Sequence, residues 1–383
     1  MFELFYKPAS CIKQTRRFVG NVKVNERRKG MGREGAKKHL YWMRVLVCFS
    51  LILLSTIAWS QTKEIVVCNF GGKSQESLQK VLFDPFEKET GIKVIGTSPP
   101  RLPKLKSMVE SGSVEWDVVV LVDSWVVRAK EEGLLEKIDF SIVNAKDMYP
   151  DTVDPYGVGL YYFFSGIAYN KKVFPLGNHP KTWAEFWDVK KFPGPRGMYK
   201  GAQEVLEFAL MADGVSKDKL YPLDVDRAFK SLDKIKSEVT VWWSGGEVPG
   251  EVLAKGEVSA SSAWLNRIIS MEEEGTPIAA EINQSILRVD FWSVPKGTKK
   301  IGAAMKFINF AIQPERQAAL SKLMPYAPCN KKALDFMGAD LKKRLFTSPE
   351  NMSKMVIFNP KGREWWGEHE KEVLEKFNQW LLK

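Results

Sequence analysis

An acidic residue stands among aromatic ones in the segment Val289-Asp290-Phe291-Trp292. Such a setting suits an ammonium group, because each aromatic face stabilises a desolvated cation by roughly 0.5 to 2 kcal/mol. A buried acid is costly unless it is paired. We therefore predict that Asp290 anchors the ammonium group of a small solute. The alternative is a strand-end aspartate that caps a neighbouring turn.

Patterns for catalysis or cofactor binding are missing or incomplete. The sequence has no Gly-x4-Gly-Lys-Ser/Thr phosphate loop, no Gly-x-Ser-x-Gly elbow and no His-Glu-x-x-His motif. Gly71-Gly72 follows a strand signature but lacks the third glycine of a dinucleotide loop, which favours a ligand-facing turn. Tyr161-Tyr162 is the kind of pair that ferric-ion binders use, but no histidine lies nearby in the sequence. These observations predict a binding protein that is not an enzyme and needs no cofactor or metal.

The net charge of +11 is concentrated at the start of the chain. Residues 1–60 carry 12 lysines or arginines and three acidic residues, a net of +9, and the other 323 residues carry the remaining +2. Lys37, Lys38 and Arg44 precede an apolar stretch over 45–54, which is the order of a signal peptide. We expect cleavage after Ser60, with an uncleaved anchor helix as the alternative. The basic character belongs to this leader, so nucleic acid is excluded as a partner and the body is expected to be periplasmic or extracellular.

Residues 1–30 fit no part of a signal peptide and are read as a gene-start artefact, since Met31 or Met43 would be a more natural start. Beyond residue 60 the chain has two cysteines, Cys68 and Cys329. In an oxidising compartment they could form one bridge, and two buried thiols are the alternative. With two histidines left, a His-rich metal site is excluded.

Apolar periodicity predicts an alternation of strands and helices along the body. Strands are predicted over 65–67, 92–95 and 117–121, with helices from about Ser74 to Gly91 and over 102–109. The pattern resumes with strands over 165–169, 239–242, 258–261 and 289–294 and helices over 204–211, 225–235 and 264–274. This order indicates parallel α/β layers. More than 300 residues exceed one ordinary core, so we expect two lobes joined by strands.

Several segments, read in order, resemble the spermidine- and putrescine-binding proteins of bacterial ABC importers, within the type II periplasmic-binding superfamily. The resemblance covers nearly all of the chain after residue 60, and it is carried by their order and spacing together. The segments are Val66-Val67-Cys68-Asn69-Phe70, Glu89-Thr90-Gly91-Ile92-Lys93-Val94, Trp116-Asp117-Val118-Val119-Val120, Thr182-Trp183-Ala184-Glu185-Phe186-Trp187, Ala202-Gln203-Glu204-Val205-Leu206, Gly256-Glu257-Val258, Gly275-Thr276-Pro277 and Ala303-Ala304-Met305-Lys306-Phe307-Ile308-Asn309-Phe310.

The resemblance implies a ligand cleft between two α/β lobes, with aromatic side chains along the solute and carboxylates at its amino groups. By position it assigns five residues to that cleft: Phe70, Glu204, Trp264, Asp290 and Tyr326. Asp123, which follows the third strand, is a further acid, although the family usually has hydroxyl residues there.

Two residues depart from the family pattern. Arg288 stands where polyamine binders carry an aromatic residue, and Gly201 replaces a carboxylate one turn before Glu204. An arginine in the cleft would repel an ammonium group and pair with a carboxylate or phosphonate. Together with Asp290 and Glu204 this suggests a zwitterion such as an amino-acid-like or opine-like compound. The alternative is that Arg288 turns away and pairs with a surface acid.

We therefore predict an α/β protein with the two-lobed type II periplasmic-binding fold, each lobe a mainly parallel sheet flanked by helices. Residues 61–165 plus 290–333 are assigned to lobe 1, and residues 166–289 plus 334–383 to lobe 2. The predicted function is that of a monomeric solute-binding component of an ABC transporter, which delivers a polyamine or zwitterion to a permease and its ATPase. Alternatives are a ferric-ion or other solute binder of the same fold, a sensor that delivers its solute to a receptor, and an exported two-lobed enzyme.

Overall fold

The structure is a computed structural model that describes residues 63–345 and 349–383. Residues 62–383 form one compact unit. The predicted leader and the cleavage site after Ser60 lie outside the described residues. Within those ranges, no helix combines the length and the apolar character needed to cross a membrane.

The described strands form one mixed sheet. Its main path runs in the order β2-β1-β3-β10-β6-β9-β7-β8, and four short strands pair at its sides. The strands are β1 (Glu64–Cys68), β2 (Lys93–Thr97), β3 (Val118–Val122), β4 (Leu135–Glu136), β5 (Val153–Asp154), β6 (Gly157–Asn170), β7 (Arg196–Tyr199), β8 (Val239–Trp243), β9 (Ala260–Trp264), β10 (Ile278–Pro295), β11 (Ala327–Pro328) and β12 (Val356–Ile357).

Helices connect these strands and cover the sheet. Shorter 3₁₀ or π turns lie between several of them. The α-helices are α1 (Gly72–Leu78), α2 (Asp84–Thr90), α3 (Leu102–Ser111), α4 (Asp123–Glu131), α5 (Trp183–Trp187), α6 (Val205–Ala212), α7 (Val225–Ile235), α8 (Val248–Lys255), α9 (Leu265–Glu273), α10 (Ile301–Ala311), α11 (Pro314–Leu323), α12 (Ala339–Arg344), α13 (Pro349–Lys354) and α14 (Pro360–Leu381).

Two parallel triplets of strands lie at the two ends of the sheet. β2, β1 and β3 are mutually parallel, as are β9, β7 and β8. The apolar run of β3 is buried along nearly its whole length, as expected for a strand covered on both faces. Gly91 ends α2 in the left-handed conformation at φ 71°, where a residue without a Cβ fits best. The predicted α/β architecture with parallel strands is confirmed.

Two long strands, β6 and β10, pair antiparallel between the triplets, and β10 also pairs antiparallel with β3. Both extend well beyond the predicted segments 165–169 and 289–294, and β10 is 18 residues long. Its first half contains the polar run Glu281-Ile282-Asn283-Gln284-Ser285 and a register shift between Glu281 and Ile286. Because this half lacks the alternation of apolar and polar residues typical of a strand, the sequence pattern did not predict it.

The buried side chains form two hydrophobic clusters, one around the β2-β1-β3 triplet and one around the β9-β7-β8 triplet. We call the triplets with their helices the first and second lobes. Helix α14, which the sequence analysis did not predict, buries Trp366 and Phe377 in the second cluster. Its Glu370 accepts a hydrogen bond from Trp125 Nε1 of α4 at 3.0 Å, so α14 contacts both lobes. The residue boundaries assigned to the lobes stay a prediction.

The two cysteines of the described chain are not bridged. Cys68 and Cys329 are both buried and free. Burial raises the pKa of the Cys68 thiol to about 12. The disulfide alternative is wrong for this structure, because each thiol is a small apolar side chain of the first core.

Candidate functional site

One face of the central strands brings three of the predicted site residues and their neighbours together. Arg288 and Asp290 are two residues apart on β10, so their side chains leave the same face. Directly opposite on β6 are Phe163 and Tyr161, and two residues further Ser165 pairs with Trp264 at the end of β9. We call this surface the site face; its residues are Tyr161, Phe163, Ser165, Trp264, Arg288 and Asp290.

The guanidinium of Arg288 is enclosed by two acids from the two lobes. Its Nε and Nη2 donate to Asp123 Oδ1 at 3.1 and 2.5 Å, and its Nη1 donates to Glu204 Oε1 at 3.0 Å. All three side chains are at least nine-tenths buried. Phe358 and Phe163 cover the guanidinium at 4.8 and 5.7 Å. We call Asp123, Glu204 and Arg288 the charged triad.

The triad is held where helices follow the carboxyl ends of parallel strands. Asp123 is the first residue of α4, directly after β3, and its Oδ1 also accepts from the backbone N–H of Ser124 at 2.8 Å. Glu204 precedes α6 and adopts φ 73°, a left-handed conformation that is unfavourable for a residue with a Cβ. Such strain persists only where the surroundings impose it, and it marks functional sites.

Electrostatics keep the arginine charged inside this site. Burial alone would lower the pKa of Arg288, but Asp123 and Glu204 raise it above its ordinary value. Burial raises the pKa of Glu204, and Arg288 opposes that shift. Arg363 Nε of α14 lies 3.7 Å from Asp123 Oδ2 and adds a second positive charge. In this structure the guanidinium of Arg288 is paired with two buried acids and not with a surface acid, and its role as partner of a ligand carboxylate stays a prediction.

Asp290, two residues further along β10, differs from the triad. Its Oδ1 is buried and has no hydrogen-bond partner. Burial raises the pKa of Asp290 to about 8; Arg288 lowers it, Asp123 raises it further, and the Tyr161 hydroxyl lowers it. A buried carboxyl oxygen without a partner destabilises the protein, so its presence here calls for a bound partner.

Tyr161 connects Asp290 with Tyr326. The two tyrosine rings stack at 4.1 Å with an angle of 21° between their planes. Tyr162 points to the opposite face of β6, where its hydroxyl donates to Asp151 at 2.9 Å. The adjacent tyrosines therefore lie on opposite faces and cannot hold one ion together, which removes the argument for ferric iron. No group of metal-ligating side chains lies within the described ranges 63–345 and 349–383.

Aromatic rings line the second-lobe side of the site. Trp264 lies 5.7 Å from Tyr199 and 5.3 Å from Trp243, and the guanidinium of Arg267 lies 5.9 Å from the Trp264 ring. Burial raises the pKa of Tyr199, and the nearby charge of Glu204 raises it further. We call Tyr199, Trp243 and Trp264 the aromatic corner.

Gly201 is explained by the aromatic corner. A Cβ at this position would stand 2.3 Å from Cε1 of Tyr199, closer than any real contact. The carboxylate expected here from the family pattern is therefore excluded while the Tyr199 ring occupies the space. Glu204, the acid nearest in sequence, is paired with Arg288.

The predicted site residues fall into three groups. Asp123, Glu204 and Arg288 form the triad, while Asp290, Tyr326 and Trp264 lie on or against the site face. Phe70 is half-buried at the end of β1 and packs against the first core, so its place in a ligand wall stays a prediction. Sequence reasoning missed Tyr161 as a site residue, and it missed Tyr199 and Arg363; the signal for Tyr161 was its cross-strand position opposite Asp290, which needs the register.

Comparison with known proteins identifies the family. Residues 81–347 match the family of bacterial extracellular solute-binding proteins. A gamma-aminobutyric acid-binding protein of Pseudomonas aeruginosa is 34% identical over 339 residues, which cover 87% of this chain and 95% of that protein. The spermidine/putrescine-binding periplasmic protein 1 of Haemophilus influenzae is 28% identical over 270 residues, 66% of this chain and 73% of that protein.

A solved structure agrees with these relatives. The PBP AgtB from A. tumefaciens R10, in complex with agropinic acid, superposes with a TM-score of 0.76 at 34% identity, covering 84% of this chain and 100% of that one. The resemblance inferred from the ordered sequence segments is thereby confirmed. The chain belongs to the family of bacterial extracellular solute-binding proteins.

Proposed function

We propose that this chain is the receptor of an ABC importer for a small zwitterion whose ammonium group binds Asp290. The observation that carries this proposal is the buried, unpartnered Oδ1 of Asp290 beside a triad in which both acids are paired with Arg288. A bound ammonium group would supply the missing partner and favour the ionised carboxylate. The relative named for gamma-aminobutyric acid supports a ligand that has an amine together with a carboxylate.

The charge of the site supports a cationic end to the solute. With all acids ionised, Asp123, Glu204 and Asp290 exceed Arg288 and Arg363 by one negative charge. Asp123 and Glu204 are occupied by arginine, so the excess is available at Asp290. A ligand that contacts both lobes at once stabilises their closed arrangement. We propose that a membrane permease recognises that arrangement, and that the protein returns its solute chemically unchanged.

Calorimetric titration tests the proposal with gamma-aminobutyric acid, putrescine and agropinic acid as probes. Asp290→Asn should bind the preferred probe about 2 to 5 kcal/mol more weakly, the usual loss for a desolvated charge pair. Asp226→Asn is a matched control, because the Asp226 side chain is 78% exposed and pairs with Lys376 on the surface. Affinity of Asp290→Asn within threefold of the parent would contradict the anchor. Recovery of a converted product would contradict the non-enzymatic function.

We also propose that the chain is exported across the cytoplasmic membrane, and the leader pattern and the family support this. The leader pattern over residues 37–60 precedes the first strand, which begins at Glu64. The family to which the chain belongs is extracellular. N-terminal sequencing of the protein from the periplasmic or culture fraction should begin at Gln61. A secreted chain that retains residues 45–54 would show an anchor instead.

Light scattering of the purified protein should give the mass of a monomer.

A further inference from the structure

Besides the unused acceptor of Asp290, buried donors without a hydrogen-bond partner lie around the site; Ser165 Oγ is on the site face, and Arg363 Nε is beside Asp123. Two further donors are uncharged nitrogen atoms. The amide Nε2 of Gln203 and the indole Nε1 of Trp243 are buried and have no hydrogen-bond partner. The side chain of Trp243 is only 2% exposed. An indole nitrogen can only donate, and an amide nitrogen likewise carries only hydrogens to give. Both atoms therefore require an acceptor that the protein does not supply.

The Gln203 amide is connected to Arg288 through the hydroxyl of Ser124. Arg288 Nη2 donates to Ser124 Oγ at 3.2 Å, and Ser124 Oγ donates to Gln203 Oε1 at 3.3 Å. In this geometry Oε1 of the amide faces Ser124, and Nε2 is the end without a partner. This series of hydrogen bonds connects α4 of the first lobe with the segment before α6 of the second lobe. It holds the Gln203 amide in position in the absence of a solute.

The buried indole of Trp243 differs from those tryptophans whose indoles have a partner in the protein. The indoles of Trp125, Trp183, Trp187, Trp366 and Trp380 donate to protein oxygens at 2.6 to 3.1 Å. Within the described residues, the other fully buried indole nitrogen without a partner belongs to Trp292, whose ring packs on Phe307 in the first core. Trp243 instead belongs to the aromatic corner, against Tyr199 and the half-exposed Trp264.

We infer that Gln203 Nε2 and Trp243 Nε1 receive the carboxylate of the solute whose ammonium group binds Asp290. Two neutral donors suit this task, because the nearby arginine is already neutralised by Asp123 and Glu204. They discriminate as well: an ammonium group has only hydrogens to offer and would leave both donors unsatisfied. These two donors would thus favour the binding of amino acids over that of diamines. This inference deepens the proposed function and rests on it.

Calorimetry with gamma-aminobutyric acid and putrescine tests the assignment. The parent should bind gamma-aminobutyric acid at least tenfold more tightly than putrescine. Trp243→Phe keeps the ring and removes the N–H, so it should weaken gamma-aminobutyric acid about ten- to hundredfold and leave putrescine within threefold. Gln203→Glu should shift the preference toward putrescine. Trp242→Phe is the matched control, because Trp242 packs against Phe377 and Trp380 of α14.

A second readout follows the indole itself. In ¹⁵N-tryptophan-labelled protein, gamma-aminobutyric acid should shift one indole N–H resonance downfield, and that resonance should be missing in Trp243→Phe. Parent protein that binds putrescine as tightly as gamma-aminobutyric acid, or neither probe, overturns the donor assignment, as does Trp243→Phe with parental affinity. Failure of the proposed function is distinct, because it is Asp290→Asn that then binds both probes like the parent.

Discussion

The two halves of the site place acids in opposite situations. Asp123 and Glu204 are buried, but each accepts hydrogen bonds from Arg288 and so has a partner within the protein. Asp290 is equally buried, and one of its oxygens has none. The paired acids serve the structure by joining the two lobes. The unpaired acid is destabilising in the empty protein and becomes favourable only with a cation bound.

The largest effect is expected from breaking the paired half. Arg288→Met would leave Asp123 and Glu204 buried without their cation, so the free energy of unfolding should fall by about 3 to 5 kcal/mol. Urea denaturation measures this. Arg227→Met is the matched control, since Arg227 is 45% exposed in its pair with Asp213 and such surface pairs contribute up to about 1 kcal/mol. Equal losses in the two variants would refute the distinction.

Removing the charge of the unpaired acid, Asp290, should raise the free energy of unfolding, whereas removing Arg288 lowers it. The pKa of Asp290 is about 8 in the folded chain, against about 3.9 when unfolded. Between those values the native state binds more protons than the unfolded state, so this group lowers stability as pH rises, by up to about 1.4 kcal/mol per pH unit. In Asp290→Asn this group cannot ionise, so its contribution to the loss of stability with rising pH is absent.

Denaturation of the empty protein at pH 5 and pH 8 measures the difference. Asp290→Asn should gain stability over the parent as pH rises, and the exposed Asp226→Asn should show no such gain. A variant that falls further below the parent at pH 8 would mean that Asp290 has a partner in the folded protein.

The same carboxyl group should make solute affinity depend on pH. Below pH 8 the empty site holds a proton on Asp290, and an ammonium group must displace it. The dissociation constant for gamma-aminobutyric acid should therefore fall about tenfold from pH 6 to pH 7 and level off above pH 8. Titrations in buffers of different ionisation enthalpy should detect the released proton. A flat profile in the parent, like that expected for Asp290→Asn, would contradict this coupling.

The smallest effect is expected at an exposed ion pair on the surface. Lys73 of α1 pairs with Glu274 after α9, but the two side chains are 65% and 60% exposed. Solvent screens such a pair, so Lys73→Ala should change stability by less than about 1 kcal/mol and affinity by less than threefold. Thermal unfolding and titration at low and high salt check both values. A loss comparable with that of Arg288→Met would show that exposure is a poor guide here.

Local sequence was sufficient for most elements of the fold. The helix over residues 225–235 was predicted at its observed bounds, because Asp224 caps it and its apolar residues recur at helical spacing. Gly91 likewise ended its helix as predicted. The first half of β10 was missed, since its polar residues conceal the alternation of a strand. Helix α14 was missed although its tryptophans anchor the second core.

The sequence by itself determined which residue types were available to the site, in what order, and on which elements. It supplied an acid directly before two aromatic residues, an arginine two positions before that acid, and further acids at strand ends. It could not determine which acid neutralises which base, because Asp123 and Glu204 are 165 and 84 residues away from Arg288. Coulombic pairing and burial act through space, so only the tertiary structure decided that Arg288 is paired and that Asp290, Gln203 and Trp243 keep buried polar atoms without a partner in the protein.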